Sequence, residues 1–269
     1  MSRSRGAKAK RNNVVQLERA LFENGRAWDA GPKKKSWSRH DLKLIKPMTE
    51  NQQFMFEDFF SGYNICASGC AGTGKSYVAL YLALCDVLNP SCDAERIILI
   101  RSVVPTREMG HLPGTVEEKS AVYEMPYADM FEDFIGRKDT YNDMKEAGLV
   151  KFATSSFVRG VTWDNSIIVV DECQNMTFHE LDSIITRAGK GSKIILVGDF
   201  YQTDLRKRGD ESGINKALAI AEMMEDEFSI IEFTSDDIVR SDFVKKWIKA
   251  KEAIEGRGPK PTDDQAEAA

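Results

Sequence analysis

The sequence predicts an α/β protein, a three-layer α/β/α sandwich around a mainly parallel sheet. Two observations carry that prediction. Between Lys46 and Gly256, short apolar runs rich in β-branched residues alternate with longer stretches of helical periodicity, the pattern of repeated strand-helix units. Several of the short runs, Ile167-Ile168-Val169-Val170 among them, are apolar at consecutive positions, as strands covered by helices on both faces must be. A length of 269 residues gives one main domain room for a full core.

Taken along the chain, the runs predict strands at 63–68, 96–101, 150–154, 166–171, 193–198 and 228–232. Helical periodicity predicts helices at 51–60, 74–88, 177–188, 212–225 and 242–254, each opened by a polar cap or preceded by a turn residue. Residues 110–141, with Pro113 and Pro126, read as an irregular insertion within a domain spanning 47–256. Residues 1–46 read as a basic, partly disordered extension. The tail 257–269, poor in groups to bury, is expected to be disordered and acidic.

Composition excludes several classes. Hydrophobic residues at 42% and charged residues at 29% are ordinary for a folded globular chain. No apolar run approaches the roughly 18–20 residues that cross a bilayer, and no apolar stretch follows the basic start, so a cytoplasmic protein without membrane contact is expected. Five cysteines without CxxC spacing indicate neither a disulfide framework nor a zinc site. His40, His111 and His179 lie in unrelated segments, which gives no metal-nuclease cluster. The net charge of −5 is unevenly spread: Arg3, Arg5, Lys8, Lys10, Arg11 and Lys33 to Lys35 crowd the head. Such an arm either neutralises nucleic-acid phosphates by counterion release or is a solvated extension, and charge alone leaves both open.

The chemistry is concentrated at a strand-to-helix turn. Gly69, Cys70, Ala71, Gly72, Thr73, Gly74, Lys75 and Ser76 fit GxxxxGK[ST], with Tyr77 next in the helix. Glycines let the backbone wrap so that its N–H groups face a phosphate, and the helix presents its positive end to the same anion. Lys75 then reaches the β- and γ-phosphates and Ser76 ligates Mg²⁺. A second strand, 166–171, ends in Asp171-Glu172. Asp171 is expected to hold Mg²⁺ through water and Glu172 to act as general base on the attacking water. A third strand runs into Asp199 and then Gln202, a neutral amide suited to sensing the γ-phosphate. These features predict that the sandwich is a RecA-like P-loop NTPase that uses ATP and Mg²⁺.

The ordered motifs resemble the PhoH-like family of P-loop ATPases, related to superfamily 1 helicase cores, over residues 46–256. The pieces that match are TENQ from Thr49, GCAGTGKS, the strand end at Arg101, GHLPG with Glu118-Lys119, RGVT from Arg159, VVDECQN, VGDFYQTD and DIVRSDFV around Arg240. The resemblance implies that Gln52 contacts adenine, Gln202 senses phosphate and Arg240 stabilises charge on the transferring phosphoryl group, a task suited to its planar cationic fork. It implies RNA or another single-stranded nucleic acid as partner, with Arg101, Arg159 and the basic arm as phosphate contacts. Trp163 is either a stacking platform for a base or a core residue. It further implies a homo-oligomeric ring, a hexamer, in which Arg240 serves its own site or a neighbour's. Ser102 and Val161 depart from the family pattern after the strand-end arginine and in the RGRT-like segment, which weakens the transfer of an RNA grip there. The rival readings are a P-loop kinase and a nucleotide-gated binding protein with little hydrolysis. The Asp-Glu pair and Gln202 favour water as acceptor over the first, and intact Lys75, Glu172 and Arg240 count against the second.

Overall fold

The computed structural model describes residues 37–102, 116–155, 160–199 and 213–254. The basic arm up to residue 36 and the tail lie outside the described residues. One sheet of six parallel strands runs through the domain: β1 (Asn64–Gly69), β2 (Arg96–Arg101), β3 (Val150–Thr154), β4 (Ser166–Asp171), β5 (Lys193–Gly198) and β6 (Phe228–Phe233), in the order β3-β2-β4-β5-β1-β6. The helices are α1 (Glu50–Phe60), α2 (Lys75–Val87), α3 (Val116–Ile135), α4 (Thr140–Glu146), α5 (Phe178–Ile185), α6 (Ile214–Glu222) and α7 (Asp242–Ile254).

Successive strand side chains point to opposite faces, and the core divides accordingly. Ile97, Leu99, Ile167, Val169, Ile195 and Val197 join one cluster with Met55 and Phe59 of α1, Leu80, Leu82 and Leu84 of α2, and Tyr127, Phe131 and Phe134 of α3. Ile98, Ile100, Ile168, Val170, Ile194 and Leu196 join another with Leu181 and Ile184 of α5 and Ile214 of α6. Two packed faces on one sheet make the three-layer sandwich. Each fully buried Leu or Ile contributes about 1.5–3 kcal/mol against exposure, so consecutive apolar positions in the strands are what this architecture requires.

Two expectations are corrected. The segment read as irregular holds the 20-residue helix α3. Tyr127, Phe131 and Phe134 recur at helical spacing and are all buried, and that burial outweighs the break Pro126 was expected to make. Pro126 removes the N–H that the Val122 carbonyl would accept, and Val122 is exposed to water there. The domain also begins earlier than residue 47: Trp37 packs in the core, and Lys43 N–H donates to the Phe134 carbonyl at 2.8 Å. No helix among the described residues is long and apolar enough to cross a membrane.

Candidate functional site

In a parallel sheet all carboxyl ends lie along one edge, and the functional loops gather there. The order β4-β5-β1 puts the end of β5 between the glycine loop after β1 and the acidic pair after β4. At Gly69 the chain turns with φ 117°, and a Cβ there would stand 1.9 Å from the Phe233 carbonyl oxygen of β6, so only glycine fits. Gly74, in the left-handed region at φ 82°, caps α2, and Lys75 follows as its first residue. The Lys75 ammonium is buried inside its own loop. It donates to the Gly69 carbonyl at 2.8 Å, to Thr73 Oγ1 at 3.1 Å and to the Cys70 carbonyl. Burial pulls its pKa down while Asp199, Cys70, Asp171 and Glu172 oppose the shift. The loop is thus already wrapped around a cation that phosphate oxygens can take from the carbonyls.

Ser76 Oγ donates to Asp171 Oδ1 at 2.8 Å, which joins the two halves of the site across the sheet. A hydroxyl beside a carboxylate is the hard-oxygen donor set that suits Mg²⁺, so these two residues fit the cation the fold implies. The other oxygen, Asp171 Oδ2, accepts the hydroxyl of buried Tyr127 at 2.6 Å. Burial, then the Asp171 charge, pushes the Tyr127 phenol far above its ordinary pKa and keeps it a donor. Glu172 occupies the left-handed region at φ 54°, a conformation costly for a side-chain-bearing residue and typical of functional turns. Its carboxylate accepts from Gln174 Nε2 at 2.7 Å, and Gln174 Oε1 accepts the backbone N–H of Asp199 at 3.1 Å.

The remaining sequence candidates fall in three groups. Arg240 stands beside the phosphate loop: Val239 N–H donates to the Gly72 carbonyl at 3.1 Å, and a Cβ on Gly72 would lie 3.1 Å from Arg240 Cγ. Gln52 lies beneath the loop with both ends of its amide engaged, Nε2 donating to the Thr73 carbonyl at 2.9 Å and Oε1 accepting from Met48 N–H at 2.8 Å. The Gln52 side chain therefore braces the phosphate loop where an adenine contact was expected. Tyr77 turns its side chain away, its hydroxyl donating to Asp133 and its ring edge-on to Phe134 at 4.7 Å.

The structure places two of the nucleic-acid candidates. Trp163 is 3% exposed, packed in the core, and cannot stack on a base. Arg101 ends β2 beside the acidic pair, so its guanidinium lies 3.9 Å from Glu172 Oε1 and over the Tyr127 ring, with the side chain 23% exposed, and does not project as a surface cation. Gln202 and Arg159 lie outside the described residues. Sequence reasoning missed Tyr127, Gln174 and Glu252. The last accepts the Cys70 thiol at 2.7 Å and so ties α7 to the phosphate loop. Gln174 stands inside the matched segment VVDECQN, two residues from Glu172, and that position was its available signal.

A family model described as "PhoH-like protein" matches residues 44–252. A PhoH-like protein of Mycobacterium bovis is 35% identical over 217 residues, 80% of this chain and 60% of its own. One of Bacillus subtilis is 38% identical over 186 residues, 68% of this chain and 56% of its own, and Protein PhoH of Escherichia coli K12 is 34% identical over 213, or 78% and 59%. The chain thus spans under two thirds of the length of these relatives. Among solved structures, the Pif1 helicase of Candida albicans aligns with TM-score 0.42 and 16% identity over 84% of this chain and 47% of that one. The UvsW helicase of bacteriophage T4 aligns with TM-score 0.41 and 16% identity over 81% and 67%.

Proposed function

The chain belongs to the PhoH-like protein family, and from that premise we propose that it hydrolyses ATP with Mg²⁺ and couples the nucleotide state to a single-stranded nucleic acid, RNA in the first place. The observation that carries the reading is the 2.8 Å bond from Ser76 Oγ to Asp171 Oδ1, which brings the phosphate loop and the acidic strand end into one site. Backbone N–H groups of the loop and the amino end of α2 take the phosphates, and Lys75 moves from its own carbonyls to phosphate oxygens. Ser76 directly and Asp171 through water would hold Mg²⁺, which when bound would supply positive charge to the phosphate oxygens. Glu172 orients the attacking water and accepts its proton. Arg240, next to Gly72, serves its own site and stabilises charge developing at the γ-phosphoryl group. Gln202 reports the presence of that group to the loop after β5.

With Trp163 in the core and Arg101 on Glu172, the nucleic-acid contacts are assigned to Arg159 and the basic arm. We assign the chain to a ring-shaped homo-oligomer, and sedimentation giving a fully active monomer would overturn that part. The coupled function is tested by phosphate release with no polymer, single-stranded RNA and single-stranded DNA, with Lys75→Ala as control. RNA stimulation that Lys75→Ala abolishes supports the reading. Equal rates in all three conditions remove the nucleic-acid part, and no turnover in any removes the hydrolysis.

A further inference from the structure

Tyr127 of α3 and Arg101 at the end of β2, neither given a nucleotide-binding role above, close around the acidic pair. Tyr127 and Ser76 each donate to a different oxygen of Asp171: the phenol to Oδ2 at 2.6 Å, the serine to Oδ1 at 2.8 Å. Arg101 lies over the face of the same tyrosine ring, 5.6 Å from its centroid, donates to the Tyr123 carbonyl at 3.5 Å, and reaches Glu172 Oε1 at 3.9 Å. The terminal torsion of an aspartate is broad and roughly two-fold, so a single bond leaves its plane free to turn. A donor on each oxygen fixes that plane, and O–H···O⁻ bonds are among the stronger hydrogen bonds.

We propose that Tyr127 is a positioning residue for the Mg²⁺-nucleotide: by holding Asp171 through Oδ2 it keeps Oδ1 aimed at the Ser76 side, while Arg101 braces the ring and Glu172 together. The inference rests on the ATP reading above and adds that α3 supplies the geometry of the cation site. A purely structural tyrosine would alter stability and leave untouched the gain in nucleotide affinity that Mg²⁺ brings. A positioning tyrosine sets that gain.

The test uses the full chain and a fluorescent ATP analogue, titrated once in excess Mg²⁺ and once in EDTA; the ratio of the two dissociation constants is the Mg²⁺ gain. Tyr127→Phe, which keeps the ring under Arg101 and deletes one oxygen, is expected to shrink the gain about tenfold while affinity in EDTA stays within about twofold, as for a lost outer partner of a metal ligand. An unchanged gain in Tyr127→Phe overturns the proposal. Should that variant show no cooperative melt, Arg101→Met takes its place: it keeps the phenol, removes the brace and is expected to cut the gain about threefold. An unchanged gain there overturns it equally. Wild-type chain that binds the analogue in neither buffer would sink the ATP reading itself, an outcome distinct from both.

Discussion

Gln174 fastens Glu172 to the end of the neighbouring strand: its Nε2 donates to Glu172 Oε2 at 2.7 Å while its Oε1 accepts the N–H of Asp199 at 3.1 Å. Asp199 directly follows β5, the strand whose loop carries Gln202, so the carboxylate assigned as general base is mechanically joined to the segment assigned as phosphate sensor. Gln174→Leu keeps the bulk and removes both bonds. Turnover is expected to fall about tenfold with nucleotide affinity preserved, and stability to fall by about 1 kcal/mol. Steady-state kinetics beside a urea titration checks this, and a rise in KM with kcat unchanged would contradict it.

Glu172→Gln keeps the length of the side chain and removes its capacity to take a proton. Turnover is expected to fall by roughly 10²-fold, about 2.7 kcal/mol of barrier, with ATP binding nearly intact. Phosphate release and equilibrium binding on the same preparation separate the two quantities. Unchanged turnover would move the base elsewhere.

The sheet was legible because its inner strands are apolar on both faces: 96–101, 166–171 and 193–198 lie where the β-branched runs lie, and the edge strand 150–154 was found at its expected bounds. The phosphate loop was legible because its chemistry is contiguous, eight residues from Gly69 to Ser76. What was not legible depends on distance along the chain. Tyr127 meets Asp171 across 44 residues, and a tyrosine inside a helix carries no local sign of the carboxylate it will find. Arg101 read as a surface cation because nothing near it in sequence shows that β2 ends beside Glu172. α3 was missed because Pro126 was weighed as a breaker without the aromatic face at Tyr127, Phe131 and Phe134 that overrides it.

Gly69 and Gly62 both have positive φ and separate two causes of glycine preference. At Gly62 nothing lies within 4 Å of an added Cβ, so Gly62→Ala costs only the backbone term, about 1–2 kcal/mol. At Gly69 the Cβ would collide with the Phe233 carbonyl at 1.9 Å. Gly69→Ala is expected to cost more than about 4 kcal/mol, in the range reserved for gross steric faults, and to abolish nucleotide binding by moving the loop. Denaturation midpoints of the two variants decide it; equal losses would show that β6 yields.

Asp237 offers a test by pH. Burial raises its pKa, but the Thr234 backbone N–H, Asn51 and the hydroxyls of Thr49 and Thr234 favour the charged form, and the net shift is downward. Asn51 Nδ2 donates to Asp237 Oδ2 at 2.8 Å, which fastens α1 to the turn that leads to Arg240. A folded-state value below the unfolded value of about 3.9 means that the unfolded chain binds more protons between the two. The stabilisation is therefore complete above that unfolded value and is lost as pH falls through the folded one. Asp237→Asn is expected to be less stable at neutral pH and to lose less on acidification from about pH 5 to pH 3 than the wild type. Urea midpoints at the two pH values measure both slopes, and parallel slopes would remove Asp237 from the acid transition.

Cys70 sits in the phosphate loop, where a reactive thiol would make nucleotide binding sensitive to alkylation. Its surroundings prevent that. Burial first, then the hydrogen bond to Glu252 and the charges of Glu252 and Asp199, push its pKa up to about 12, against a smaller opposing pull from Lys75. Since the thiolate is the nucleophile, at pH 8 only about one thiol in 10⁴ is then reactive. Iodoacetamide is expected to leave Cys70 almost unmodified in the folded chain and to modify it readily in urea, as quantified by mass spectrometry of the 70-containing peptide. Glu252→Gln removes the carboxylate while keeping an acceptor oxygen near Sγ, so the thiol pKa falls and folded-state alkylation is expected to rise several-fold or more. A rate unchanged by Glu252→Gln would show that burial alone protects the thiol, and that α7 touches the phosphate loop without electrostatic effect on it.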